Sequence, residues 1–338
     1  MKKSWQLAVG SRQLAVLFAY CLLPFAYSNG QALQLTQFYA APTFINPSFA
    51  GLGTCSRVNT NYRIQWPEIP GAFTTMLVSF DHQLKKRNGI GFLFTNDRAG
   101  SGNLHSTSFA GQYSHQFLLG HGWSANAGAE AGYTIRDYNF SKFVFSDMLA
   151  YGTSTSVEQP NALRVHYLDL SSGVLLYDRR TWVGFAAHHL NMPDQAVISS
   201  ESRLPILYSV HLGTKIPVGK RIDPKDNNPN ESITPAFNYR HSKKFDQVDI
   251  GLYYSKLPLV IGLWYRGIPV FKAYKPGYQN NDAIALIAGI AIDRFKFGYS
   301  YDLTISRLWK NTAGSHEISL SYQFCKQQSK KAFACPKF

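Results

Sequence analysis

His188 and His189 stand side by side in a chain with ten histidines, and adjacent imidazoles are a natural start for a metal site or a general base. Strand geometry argues against both. The pair falls at the end of an extended run, where successive side chains point to opposite faces, so the two rings cannot share a metal without distortion. His105, His115, His121, His166 and His211 are dispersed. Asp169 and Ser171 share one strand face but have no base at fixed spacing, so they are expected to form a hydrogen-bonded pair and not an activated nucleophile. No Gly-x-Ser-x-Gly, His-Glu-x-x-His or phosphate-cradling glycine loop occurs. No catalytic, metal or cofactor-binding residue is therefore assigned, and the chain is expected not to be an enzyme.

The elements that would position such groups are strands. In the last hairpin, Gly298 to Phe324, the residues His316, Ile318, Leu320, Tyr322 and Phe324 alternate with Glu317, Ser319, Ser321 and Gln323. The preceding run sets Phe295, Phe297, Tyr299 and Tyr301 against Lys296, Gly298, Ser300 and Asp302. A period of two places one set on each face of a strand. A soluble sheet would bury its apolar face under a second layer, and no long helical pattern is available to supply one. The expectation is an all-β fold, a transmembrane antiparallel barrel of about fourteen strands with its apolar face outward. Tyr62, Ile64, Phe295, Phe297, Ile318 and Leu320 should then face lipid.

Composition agrees with that fold. Aromatic residues reach 14% while charged residues are only 16%, well below the roughly 25% usual for soluble domains. After the N-terminus nothing approaches the ~20 consecutive apolar residues that a membrane-spanning helix needs. Residues 1–32 carry Lys2, Lys3 and Arg12, then the apolar run Leu14 to Tyr27 and a small-residue ending at Ala32. These are the marks of an exported protein's signal peptide. The net charge of +14 comes from scattered Lys and Arg. An exported chain with no basic, aromatic-interleaved patch is not expected to bind nucleic acid; lipopolysaccharide, outer-membrane lipid or acidic partners suit it better.

Residues 33–53 hold Pro42, Pro47 and several aromatics but no sustained period. They are expected to form an irregular, plug-like segment packed in the lumen or at its mouth. Residues 54–324 make the barrel, and residues 325–338 a periplasmic basic tail. Asp81, Glu130, Arg136, Asp169, Lys215, Arg240, Asp249, Arg266, Arg294, Lys296, Asp302 and Glu317 take inward parity, which calls for mutual charge compensation. Leu175, Tyr177, Tyr253 and Trp264 share that parity. Such a lumen speaks against the alternative function, a porin or substrate-specific channel.

Ordered stretches spread from Gln37 to Phe338 carry a resemblance: QFYAAPTFINPSFAG, YRIQWPEIPGAFTTMLVSFDHQL, IGLWYRG, YSYDLTISRL, GSHEISLSYQF and the terminal CPKF. Together they resemble the PorP/SprF family of outer-membrane proteins from the type IX secretion and gliding-motility apparatus of Bacteroidetes. The resemblance implies a non-enzymatic barrel in the cell outer membrane that needs no cofactor. Its partners would be type IX secretion components or a large secreted surface adhesin bearing a C-terminal targeting domain, and its role would be in secretion, stabilisation or anchoring. Carried over by motif, Asn46, Pro47 and Gly51 belong to the N-terminal signature, Gln65, Trp66, Pro70 and Gly71 to the first hairpin, and Arg266, Tyr301, Asp302 and Ser306 to later ones. The chain departs from the pattern at Ser48-Phe49 and at Phe73. Pro, Gly and Trp also set turns and the membrane interface, so these positions are structural or partner contacts.

With Cys21 in the leader, Cys55, Cys325 and Cys335 remain in an oxidising compartment. Cys55 opens the first strand and Cys325 follows the last, and closing a barrel makes those strands neighbours. A Cys55–Cys325 disulfide is expected, with Cys335 as the alternative partner.

Overall fold

The computed structural model describes residues 33–324, apart from breaks at 54, 85–86, 101–103, 139–143, 145, 155, 157–163, 197–200, 219–230, 244, 269–272, 276–277 and 307–308. The alternating runs are strands. In chain order they are β1 (Ser56–Gln65), β2 (Phe73–Gln83), β3 (Asn88–Ala99), β4 (Leu104–Gly120), β5 (Trp123–Asp137), β6 (Arg164–Tyr177) and β7 (Thr181–His188). They continue with β8 (Leu207–Thr214), β9 (Glu231–Ser242), β10 (Phe245–Lys256), β11 (Leu259–Gly267), β12 (Asn281–Ile292), β13 (Phe295–Thr304) and β14 (Ser315–Phe324). Each pairs antiparallel with its sequence neighbours, and β14 pairs with β1. The result is a closed barrel of 14 strands, as the alternation predicts. A short extension, Ile216–Pro217, pairs beside β9, and a small separate hairpin, Ala273–Lys275 with Tyr278–Gln279, decorates one loop.

Closure leaves no edge strand, the condition for a sheet to cross a bilayer. Tyr62, Phe295, Phe297, Ile318 and Leu320 are exposed on the outer face as expected, and Ile64 shares it half-exposed. The inner face takes the other parity: Asn59, Asn61, Arg63, Ser79, Asp81, Asp302 and Glu317 are buried there.

The two ends of the barrel differ. One end carries the short turns 84–87, 121–122, 178–180, 257–258 and 293–294; the other carries 66–72, 138–163, 189–206, 268–280 and 305–314. Short turns mark the periplasmic end of an outer-membrane barrel, which places both Ser56 and Phe324 there. Three connections depart from this rule: the long one from β8 to β9, and the short ones from β3 to β4 and from β9 to β10. Strand parity holds across all three, so the long periplasmic connection is a true insertion and not a miscount.

Two expectations need correction. Arg294 is exposed in the β12–β13 turn and does not enter the lumen, because inward parity ends where the strands end. Asp169 and Ser171 do not bond one another. Strand neighbours two apart lie too far along the chain, and each turns to a cross-strand or loop partner: Asp169 Oδ2 to His189 Nδ1 at 2.7 Å and Ser171 Oγ to Glu130 Oε1 at 3.2 Å.

Cys55 is disulfide-bonded, and every other cysteine lies outside the described residues. The β1–β14 ladder pairs Ser56 with Phe324, the residues next in sequence to Cys55 and Cys325. Non-reducing peptide mapping of the folded protein is expected to recover those two cysteines linked. Cys55 recovered as a free thiol, or joined to Cys335, contradicts this pairing.

Candidate functional site

The lumen is not empty: residues 35–52 cross it. They lack any strand period and instead form three short turns of helix, Phe38–Ala40, Pro42–Ile45 and Pro47–Phe49. Pro42 and Pro47 each open a turn, where proline's missing N–H costs nothing. Leu35, Ala41, Phe49, Ala50 and Leu52 are buried, and so are the polar Thr36, Gln37, Thr43, Asn46 and Ser48. A segment that buries this many polar groups must satisfy most of them, since each unpaired one costs about 1–3 kcal/mol; of its side chains the Thr43 hydroxyl alone is buried without a hydrogen-bond partner among the described residues.

At the β13–β14–β1 wall it does so through a buried ion network. Thr36 N donates to Glu317 Oε2 at 2.7 Å, and Gln37 N donates to Oε1 of the same carboxylate at 3.2 Å. The Thr36 hydroxyl donates to Asp302 Oδ2 at 2.6 Å and accepts from Arg63 at 2.7 Å and Arg266 at 3.2 Å, which uses its full capacity. Asp302 Oδ2 also takes Arg63 at 2.9 Å and Arg266 at 3.0 Å. Arg266 Nε then reaches Asp249 at 2.8 Å, and Arg240 lies 3.7 Å from the same carboxylate. Three guanidinium groups and three carboxylates thus balance where water is excluded, the only arrangement that makes such burial tolerable. Gln37 adds bonds to Ser300 Oγ, the Glu317 carbonyl and Ser319 Oγ.

The opposite wall holds the second half of the segment. Asn46 caps the turn Pro47–Phe49, its Oδ1 accepting from Ser48 N at 2.9 Å and Ser48 Oγ at 2.6 Å. Its Nδ2 donates to the carbonyls of Val174 at 3.1 Å and Phe185 at 3.2 Å, residues that face each other across β6 and β7. Gln112 Nε2 donates to the Thr43 carbonyl, Asn126 Nδ2 to the Ser48 carbonyl and Ser114 Oγ to the Ala50 carbonyl. Close approach depends on missing side chains. A Cβ on Gly128 would stand 2.3 Å from Ser48 N and 2.5 Å from the Pro47 carbonyl carbon. Gly51, at φ +60°, lets the segment leave the lumen past Gly89, whose Cα would lie 2.5 Å from a Cβ there.

Apolar packing fills the gap between the two walls. Phe38 meets Trp264 edge-on at 4.7 Å, Tyr39 meets Tyr253 edge-on at 4.6 Å, and Phe49 and Leu52 join Leu175, Tyr177, Trp182 and Ile287 in one cluster. The four inward residues that argue against a water-filled lumen are therefore the plug's apolar seat.

The motif positions separate into two places. Asn46, Pro47, Gly51, Arg266 and Asp302 lie at the plug–wall interface. Gln65, Trp66, Pro70, Gly71, Tyr301 and Ser306 gather at the loop-bearing end, where Trp66 at φ +56° donates its N–H to the Gly314 carbonyl at 2.9 Å and packs edge-on against Phe73. Pro70 and Gly71 are exposed there, Tyr301 packs against His316 at 5.1 Å, and the Ser306 carbonyl accepts from Trp309 N. Cys325 and Cys335 lie outside the described residues. Neither Thr36 nor the pairing of Arg63 with Asp302 has a local signal in the sequence, since the partners stand more than two hundred residues apart; the inward parity and motif place of Asp302 mark one half of that pair.

The adjacent histidines take separate structural duties. His188 Nε2 meets the Ile45 carbonyl at 3.1 Å, whereas His189 pairs with Asp169. Among the described residues no three His, Cys, Asp or Glu side chains converge as a metal site. Chemically the arrangement binds a peptide segment and holds it.

A family model described as "Type IX secretion system membrane protein PorP/SprF" matches residues 27–322. A search of curated proteins returns no match. Among solved structures, the CymD monoaromatic hydrocarbon channel is 10% identical, with 89% of this chain and 96% of that chain covered at a TM-score of 0.48. The toluene transporter TodX of Pseudomonas putida is 9% identical, with 87% and 94% covered at 0.45. The outer membrane protein Omp33 of Acinetobacter baumannii is 8% identical, with 81% and 100% covered at 0.42. Likeness this distant carries nothing about what binds to or passes through the chain.

Proposed function

The chain belongs to the PorP/SprF family of type IX secretion system membrane proteins, and from that premise we propose that it is a non-enzymatic outer-membrane scaffold that supports the secretion, stabilisation or surface anchoring of a large exported protein. The observation that carries this reading is the lumen itself, where residues 35–52 are held to both walls by hydrogen bonds and a buried ion network. A barrel filled in this way offers partners its two ends and not a passage.

The loop-bearing end has the features of a contact surface. The connections Asp137 to Arg164 and Ile268 to Asp282 are long, and Val144, Leu149 and Tyr151 on the first of them are exposed. The basic tail, residues 325–338, expected from the sequence as a second contact surface, lies outside the described residues.

Deletion of the gene is the test. The expected result is loss of at least one large surface protein from the cell exterior, restored by the wild-type gene, with that protein or type IX components co-purifying with the barrel. If every large surface protein is still exported and attached normally in the deletion strain, the proposal fails.

A further inference from the structure

We propose that the periplasmic rim of the barrel is a collar that binds the anionic phospholipid headgroups of the inner leaflet of the outer membrane. The collar is built from the short turns. Arg87 ends the β2–β3 turn, Arg179 and Arg180 form the β6–β7 turn, Lys256 opens the β10–β11 turn and Arg294 lies in the β12–β13 turn; all five are exposed. The β4–β5 turn carries His121 in the same place. Among the described residues none of the five enters an ion pair.

Placement identifies the occupant. The five cations stand on four turns spread round the perimeter, whereas a protein docking on this end would be met by a patch on one side. The cations also sit where the lipid-facing band stops: Arg294 lies between exposed Ile292 and Phe295, Lys256 beside exposed Leu257 and Leu259, and Arg179 and Arg180 between exposed Leu176 and Val183. Headgroups surround a barrel at that level on every side.

Nearby acids do not cancel the charge. Asp178 turns its carboxylate to the backbone N–H groups of Arg180 and Thr181, at 2.8 and 2.6 Å, and so closes its own turn. Asp293 stands beside Arg294 as the one exposed acid on the described short turns. At the opposite rim exposed Glu68, Asp194 and Glu201 stand among the exposed cations Arg98, Arg164, Arg203 and Lys243, of which Arg164 is held by Asp137 at 3.6 Å and Arg203 by Glu201 at 2.5 Å. Lysine and arginine held at a bilayer surface each attract anionic lipid, and salt weakens the attraction. The proposal stands independently of the secretion role.

The experiment uses the full chain in nanodiscs of equal parts phosphatidylglycerol and phosphatidylethanolamine, with retained lipid counted by native mass spectrometry. Wild type is expected to retain phosphatidylglycerol over phosphatidylethanolamine by about tenfold at low salt, and less at high salt. The combined variant Arg87→Gln, Arg179→Gln, Arg180→Gln, Lys256→Gln, Arg294→Gln should fall to about parity while keeping the heat-modifiable mobility of a folded barrel. Replacing the four arginines by lysine should keep the preference. If the fivefold variant does not fold, R179Q/R180Q alone, on a turn closed by backbone bonds to Asp178, should show a smaller fall. Parity in wild type overturns the proposal, as does an undiminished preference in whichever glutamine variant folds. A rim that serves an acidic protein gives parity between the lipids and counts against it equally.

Discussion

Asp302→Ala is expected to destabilise the barrel by about 3–5 kcal/mol, the usual cost of removing one partner from a buried ion pair. The loss is large because one oxygen, Oδ2, serves Thr36, Arg63 and Arg266 together. Without it the buried network carries an excess positive charge, with Arg63 left 3.5 Å from Glu317 and Arg266 left to Asp249. Asp302→Asn should cost less. Its amide oxygen can take the place of Oδ2, and its NH₂ can occupy the position of Oδ1, which has no hydrogen-bond partner among the described residues. Urea unfolding of the protein in lipid vesicles measures both. Equal, small losses for Ala and Asn would show that the carboxylate does not hold the network together.

Gly128→Leu is expected to drive residues 43–50 from their seat while leaving the barrel closed. A side chain there meets backbone, not a mobile tip: the nearest atoms are Ser48 N and Cα and the Pro47 carbonyl carbon. Backbone of a proline-opened turn, itself tied to β6 and β7 through Asn46, has nowhere to shift except out of the lumen. The displaced segment forfeits the burial of Phe49 and Leu52 against the apolar seat, at roughly 1.5–3 kcal/mol for each side chain. Residues 33–53 contain no lysine or arginine, so chymotrypsin is the suitable probe. It should cut at Phe44 or Phe49 in the variant and spare both in wild type. Cleavage at equal rates in the two would mean that the segment is not seated against Gly128.

Most of the architecture was legible in the sequence, and the reason is periodicity. Alternation such as Ile318, Leu320 and Tyr322 against Glu317, Ser319 and Ser321 fixes both the strand and the face, because a slip by one residue would invert every side chain. Barrel closure then follows from the even strand number and the lack of a covering layer. The plug was legible only as a packed segment, since aromatics without a period show that it is buried but not against what. Its contacts run from side chains to distant backbone carbonyls, as with Asn46 to Val174, and such acceptors have no sequence signature. Arg294 misled for the opposite reason: the parity of β13 was extended one residue before its start at Phe295, into a turn where it has no meaning. Arg266 and Asp302 were marked by resemblance and by parity, yet only the fold shows that they pair directly and share Thr36.

Single-channel recording in planar bilayers asks most directly whether the chain's own N-terminal segment closes the barrel. Wild type should insert without producing stepwise ion conductance, and Gly128→Leu should conduct in discrete steps under the same conditions. Steady, porin-like conductance from the wild-type protein, unchanged in the variant, would contradict a lumen sealed by residues 35–52.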